Sequence, residues 1–338
     1  MTFGPKELQA DVQQKKICIG CGACVSICPY FRTYKGQTTA IFQCSRTTGR
    51  CYAFCPKTGV DLDKLSKNLF KKEYGSDPLG NYKAIYVSEK GDKASKGNGS
   101  TVSALIEFAL KNKVIDSAIL NKLNGAAATP EIVTDPEKVK DYSSSKSGLS
   151  PVVSIFNQGS ESGYKKIGLV GTPCTIIALS NIKSNPTDLA NFTDKSGIAI
   201  GLFCSWAHGA SKFEDAVASE ERKTMPLGCS YCHDMTGEFA DISVGALDSK
   251  GDKNKNILIV RTEAGEKLVN DAIKSGYIKT SPLPADALDA LSKASMSKKK
   301  RTLARLVEEK KINALAERPT IVINDQSLKN ITNDKGGM

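Results

Sequence analysis

Eleven cysteines in a chain of 338 residues are the first chemistry on offer. The densest group is Cys18-Ile19-Gly20-Cys21-Gly22-Ala23-Cys24-Val25-Ser26-Ile27-Cys28-Pro29. Its C-x2-C-x2-C-x3-C-P spacing suits iron–sulfur ligation, where soft thiolates must converge on one cluster from several directions. Gly20 and Gly22 let the loop curl without Cβ clashes, and Pro29 turns the chain after the last thiol. The fourth cysteine of such a run ordinarily ligates the other cluster of a pair. A second group is therefore expected downstream, and Cys44, Cys51 and Cys55-Pro56 supply it.

That second group is irregular. A regular copy would place cysteines at positions 45 and 48, which hold Ser45 and Thr48. The segment CSRTTGRCYAFCP reads as the same loop with one residue inserted and its middle cysteine lost. Cluster one is then complete, with Cys18, Cys21, Cys24 and, by cross-over, Cys55. Cluster two has three clear ligands, Cys28, Cys44 and Cys51. It is a three-iron cluster, or water or a non-cysteine ligand completes it. Structural zinc fits poorly, because zinc sites use two separated pairs. Disulfides need an oxidising compartment, and residues 1–20 show no apolar secretory segment. The expected setting is cytoplasmic. Residues 1–70 read as a two-cluster, ferredoxin-like domain held together mainly by its clusters.

The formal charge of +11 arises from 47 basic and 36 acidic residues. A pI near 9 raises nucleic-acid binding as a first thought. Bound iron–sulfur clusters are anionic and offset that excess, so no nucleic-acid partner is expected. The basic tract Ser297-Lys298-Lys299-Lys300-Arg301 reads as a solvated helix face or an anchor for acidic ligands. No apolar run reaches transmembrane length, which leaves peripheral association with a membrane complex open. With 40% hydrophobic and 25% charged residues the chain has an ordinary globular composition.

Asp61 to Tyr74 has the pattern of an amphipathic linker helix. Strands and helices then alternate. Tyr82–Val87, Ile115–Leu120, Glu131–Thr134, Lys166–Cys174 (a buried strand running into a glycine turn), Ser196–Cys204, Phe239–Leu247, Asn256–Arg261 and Arg318–Ile323 are strand candidates. Thr101–Lys111, Pro151–Gln158, Thr175–Ile182, Ala264–Ser275 and Leu288–Ala314 show helical spacing, the last with a basic face. The alternation predicts an α/β domain. Four cysteines lie within it. Cys174 and Cys204 end buried strands, where functional groups of α/β folds collect, and Cys229 and Cys232 form a CxxC pair. On spacing alone they suit a third cluster, a zinc site, or burial as small apolar side chains. His233 beside Cys232 is placed to tune a cluster or to sit exposed and neutral. Trp206 and His208 read as structural, and Asp234 and Asp241 as loop braces. No hydrolytic constellation is present, and no catalytic side chain is singled out.

The chain resembles the family of coenzyme F420 hydrogenase/dehydrogenase beta subunits. The resemblance rests on GSTVSALIEFALKNKVIDSAIL, SSSKSGLSPVVSIF, VGTPCTIIAL, IGLFCS, GCSYCHDMTGEFADISVGALDS and ILIVRTEAGEKLV, in that order over roughly residues 81–275. It implies FAD in the α/β domain and a [4Fe-4S] cluster on Cys174, Cys204, Cys229 and Cys232. Flavin contacts are then expected at Gly97, Asn98, Gly99, Ser100 and Thr101, at Lys146, and at Gly171, Thr172 and Pro173. Gly171 to Pro173 fit a simple tight turn equally well. The implied division is a ferredoxin-like domain over 1–70, the N-terminal part of the family domain over 71–160, its C-terminal part over 161–330, and a disordered tail over 331–338. The implied function is an oxidoreductase moving electrons between reduced coenzyme F420 and one-electron carriers. Its partners would be other redox subunits or a ferredoxin. The alternatives are a ferredoxin-fed flavin reductase of another organic substrate and a non-catalytic electron-transfer subunit.

Overall fold

The computed structural model describes residues 3–34, 36–96, 100–124, 127–142, 149–185, 194–205, 225–247 and 255–333. In the N-terminal segment β1 (Phe31–Tyr34) and β2 (Gln37–Ala40) form an antiparallel hairpin, and β3 (Val60–Asp61) follows. The Asp61 carboxylate accepts the Lys64 N–H at 2.9 Å and starts the Leu62–Phe70 helix. Lys71 ends that helix in the left-handed region. The linker helix read from sequence is thus present and four residues shorter at its C-terminal end.

The remaining strands are β4 (Ala84–Lys90), β5 (Ser117–Asn124), β6 (Ala127–Val133), β7 (Ile167–Gly171), β8 (Ser196–Leu202), β9 (Ile242–Ala246), β10 (Asn256–Val260), β11 (Ile278–Pro282) and β12 (Ile321–Val322). Eight of them form one sheet, ordered β11-β4-β10-β9-β8-β7-β5-β6. Its centre, β5-β7-β8-β9, is parallel. β6 on one side, and β10, β4 and β11 on the other, are antiparallel to their neighbours. The apolar run of β7 is buried at every position, as expected of a parallel strand covered on both faces. β4 points the same way as β7, β8 and β9. The turn before the Thr101–Lys111 helix therefore opens at the sheet edge where β7 and β8 end.

Two features depart from the sequence reading. Residues 1–70 do not form a separate core. Leu8, Val12, Ile17, Phe31, Phe54 and Leu62 belong to one buried cluster with Ile119, Val153, Phe156, Ile176 and Leu303. The C-terminal end also closes back on the start. β12 pairs in parallel with β3, and Arg318 forms a two-pronged ion pair with Asp11, at 2.7 and 3.2 Å. The stretch expected as a disordered tail begins inside the Asp325–Asn333 helix, where Ile331 is fully buried. Residues 334–338 lie outside the described residues.

Candidate functional site

β7 ends in Thr172-Pro173, and Cys174 stands in the first turn of the Pro173–Ser184 helix. Pro173 suits that first position because its missing N–H would have no helical partner. β8 leads through Phe203 to Cys204, whose N–H bonds the Met235 carbonyl at 2.8 Å. Cys229 and Cys232 lie on and just after the 3-10 turn Leu227–Tyr231. All four cysteines line one narrow cavity, together with Thr172, Pro173, Lys57, Lys298 and Ile19. Ile19 belongs to the N-terminal cysteine loop, so that loop helps to wall the cavity. The approach is close: a side chain at Gly228 would overlap the Ile17 carbonyl and the Ile19 side chain.

Gly20 and Gly22 both adopt positive φ, 63° and 82°, and Gly22 packs against the start of the Val152–Glu161 helix. The Val153 N–H donates to the Cys21 carbonyl at 3.0 Å, and Asn157 donates to the Val25 carbonyl at 2.8 Å. The seven N-terminal thiols influence one another electrostatically, within and across the two groups expected from spacing. Cys18, Cys24 and Cys55 act on one another, and Cys21 joins them through Cys24 and Cys55. Cys28 and Cys44 act on Cys51. Cys21 also feels Cys174, and Cys24 feels Cys51. The first group therefore bridges the cavity and the second group.

The charges explain what these thiols require. Burial, and then the neighbouring Cys55, push the Cys21 and Cys24 thiols well above the ordinary range. Burial pushes Cys51 and Cys174 up to about 11 and Cys55 up to about 12. Burial also raises Cys204, against the opposing pull of Lys298. Thiolates so placed need cations held among them. All eleven cysteines are free. Among the described residues, no three Cys, His, Asp or Glu side chains converge closely enough for a single metal ion. An all-cysteine donor set is one that thiolate-bound iron–sulfur clusters use.

Lysines complete the cavity, and they correct the sequence reading of the basic tract. Lys298 and Lys299 are not on a solvated face: they are 5% and 0% exposed. Lys298 Nζ donates to the Cys204 and Asp234 carbonyls, each at 2.7 Å. Lys57 Nζ donates to the Tyr231 carbonyl at 3.2 Å. Lys299 forms a buried ion pair with Glu238 at 3.0 Å, and Glu238 also accepts from the Tyr74 hydroxyl at 2.8 Å. Arg261, equally buried, donates to Ser243, Thr236 and the Leu79 and Asn81 carbonyls. Lys57 and Arg261 did not stand out in the sequence, and Lys298 and Lys299 did so only as members of the basic tract. A signal was available: Leu291, Ser295, Lys298, Thr302 and Leu306 follow helical spacing, and all are buried. His233 is buried rather than exposed, and burial followed by Lys299, Lys298 and Lys57 lowers its pKa well below the usual value. Asp234 and Asp241 are loop braces. Asp234 accepts three successive N–H groups, from Thr236, Gly237 and Glu238, and Asp241 accepts the Ala199 N–H and the Thr262 hydroxyl.

The expected flavin contacts separate. Gly97, Asn98, Gly99 and Lys146 lie outside the described residues, as do Trp206 and His208. Ser100 precedes the Thr101–Lys111 helix without capping it through its side chain. Thr101 is fully buried and its hydroxyl bonds Ser88 at 3.0 Å, so that hydroxyl already has a partner. Gly171 packs against Thr175, and Thr172 and Pro173 face the cysteine cavity. Of the three residues from Gly171 to Pro173, the structure sets Thr172 and Pro173 against the thiols.

Fold and site together define a mixed α/β chain whose cysteines collect in three adjoining groups. The chain belongs to the family of coenzyme F420 hydrogenase/dehydrogenase beta subunits. The family's N-terminal region matches residues 85–157, and its C-terminal region matches residues 164–226 and 213–286. The chain is 27% identical to the coenzyme F420 hydrogenase subunit beta of Methanococcus voltae, over 70% of this chain and 98% of that one. It is 22% identical to the coenzyme F420 hydrogenase subunit beta of Methanothermobacter thermautotrophicus, over 69% of this chain and 97% of that one. It also matches 46% of the length of the coenzyme F420-dependent sulfite reductase of Methanocaldococcus jannaschii, at 24% identity over 77% of this chain. A chain of the F420-reducing [NiFe] hydrogenase complex from Methanosarcina barkeri shares the fold, with a TM-score of 0.61 at 22% identity. The match covers 69% of this chain and 94% of that one.

Proposed function

We propose that this chain is an iron–sulfur flavoprotein, a beta-type subunit that moves electrons between reduced coenzyme F420 and one-electron carriers. The observation that carries the reading is the unbroken series of thiol groups from the sheet edge outward. Cys174, Cys204, Cys229 and Cys232 would hold the inner cluster, and Cys18, Cys21, Cys24 and Cys55 the next. Cys28, Cys44 and Cys51 would hold the last, as a three-iron cluster or a cubane with one labile corner. FAD would sit at the start of the Thr101–Lys111 helix, since the first-turn N–H groups of a helix suit a diphosphate and this one opens at the same sheet edge as the inner cavity. When bound, FAD accepts a hydride and releases electrons singly, and clusters take one each.

The chain's own residues have separate tasks. Lys57 and Lys298 bring positive charge to the inner cavity. Ile19 and Leu149 wall it. Backbone amides serve the next group, since the Thr38 and Gly20 N–H groups donate to Cys18 Sγ at 3.3 and 3.5 Å. Such donors raise a cluster's potential. The proposed partners are other redox subunits or a ferredoxin. No helix among the described residues is long and apolar enough to cross a membrane.

Anaerobic purification with iron, sulfide and flavin analysis tests the reading. About one flavin per chain is expected, bleached by reduced F420 and not by NADH. A cluster-replete protein that contains no flavin and binds none would overturn it.

A further inference from the structure

Four of the nine large apolar side chains exposed among the described residues lie within one stretch of thirteen. They are Tyr30, Tyr34, Ile41 and Phe42, which are 37, 62, 45 and 65% exposed. They flank the β1–β2 hairpin. The Tyr30 and Phe42 rings meet edge-on at 6.1 Å, and the Ile41 N–H bonds the Tyr30 carbonyl at 2.8 Å. Phe31, 1% exposed, anchors the hairpin in the core beneath them. The patch is therefore built on a fixed support rather than on a loose loop.

Its position is specific. Cys28 precedes Tyr30 by two residues, and Cys44 follows Phe42 by two. Both thiols act on Cys51, so the aromatic patch is bracketed by ligands of the proposed last cluster. Its charge is equally one-sided. No Asp or Glu occurs between Val12 and Val60, while Lys15, Lys16, Arg32, Lys35, Arg46, Arg50 and Lys57 do. Arg32 and Arg46 are exposed beside the patch. Arg32 and Arg50 direct donors to backbone carbonyls, at Pro29 and Phe31 and at Ile27, rather than to carboxylates. An aromatic centre with an arginine rim is the composition of a protein–protein contact.

We propose that this face docks a small acidic protein carrying a one-electron centre, and that electrons cross there to or from the Cys28–Cys44–Cys51 group. The inference rests on the iron–sulfur reading of that group. Charge complementarity selects the occupant. A second copy of this chain would bring the same basic stretch, with no acidic residue from 13 to 59, and like charge would oppose the pairing. Encounters of redox proteins are small and salt-sensitive, which suits four side chains and a basic rim.

The test uses anaerobically purified, cluster-replete full-length protein and a small acidic two-cluster ferredoxin, pre-reduced, as the probe. Stopped-flow absorbance gives the second-order rate of electron transfer at several salt concentrations. The unaltered protein is expected to react fast at low salt and more slowly as salt rises. The doubly substituted Arg32→Glu/Arg46→Glu protein should be slower by about tenfold or more at low salt, with a flattened salt dependence. Phe42→Ser should slow the reaction at every salt concentration. Iron content, and reduction by dithionite alone, should be unchanged in both variants. Loss of iron from the unaltered protein's third group would instead count against the cluster reading itself. Intact clusters with a rate that neither variant changes would overturn the docking proposal. So would a dimer of the unaltered protein that Phe42→Ser dissociates.

Discussion

Lys298 shows how much one side chain can decide. It is buried, and it spends its hydrogen bonds on the carbonyls of Cys204 and Asp234. A cation so placed favours the more negative, reduced state of a cluster held by Cys174, Cys204, Cys229 and Cys232. Lys298→Met should shift that cluster's midpoint to more negative potential, and Lys298→Arg should largely restore it. An EPR-monitored redox titration reads both, and an unmoved midpoint in Lys298→Met would remove the assigned role. Two carbonyls lose their donor in the Met variant, at a cost of about 1–3 kcal/mol each, so the Arg variant separates charge from folding. At this scale the N-terminal cysteine run stood out in the sequence because ligand spacing is a local code, whereas Cys174 and Cys204, far apart in the chain, were grouped with Cys229 and Cys232 through the family resemblance. The burial of the lysines was not readable, because lysine is rarely buried unless paired and its partners here are carbonyls far along the chain.

Single elements carry the next level of argument. The segment from Cys232 to Glu238 has no regular structure, yet it is buried nearly throughout. It is held by the Asp234 carboxylate, which accepts the N–H groups of Thr236, Gly237 and Glu238 at 2.7–2.9 Å. Asp234→Ala would strand three buried donors and cost about 3 kcal/mol or more. Asp234→Asn keeps one accepting oxygen and should cost less. Denaturation midpoints, with iron content as the second readout, check both; a wild-type midpoint in Asp234→Ala would show that water replaces the carboxylate. Most helices and central strands followed from periodicity, and the Thr101–Lys111 helix agrees to the residue. β11 and the Asp325–Asn333 helix were missed. β11 lies at the sheet edge with three of its five residues exposed, Pro282 among them, and such a strand leaves a weak pattern. The β1–β2 hairpin was missed as well, because each of its four-residue strands buries a single side chain and so shows little apolar alternation.

For the whole molecule, the sequence suggested two independent units, and the packing joins them. Cysteine spacing marks where ligands lie and says nothing about which apolar residues share a core, so the boundary near residue 70 was drawn where composition changes. Leu8, Val12 and Leu62 instead bury against Phe156, Ile176 and Leu303. A chain begun at residue 71 should therefore not fold alone. It is expected to be insoluble or to lack a cooperative thermal transition, and a soluble fragment with one would restore the two-unit picture. The ends reinforce the same point, since the Arg318–Asp11 pair and the β3–β12 bridge fasten the C-terminal segment over the cysteine loops.

That common core has a kinetic consequence. With the N-terminal cysteine loop and the hairpin's Phe31 sharing one buried cluster with Cys174, the spacing from one thiol group to the next is expected to be set once, when the chain folds. Turnover then has no swinging arm to wait for, and its slow events are left to arrivals and departures at the two ends. Regulation would have to act on those encounters, or on the ladder of potentials, because the path between them does not open and close.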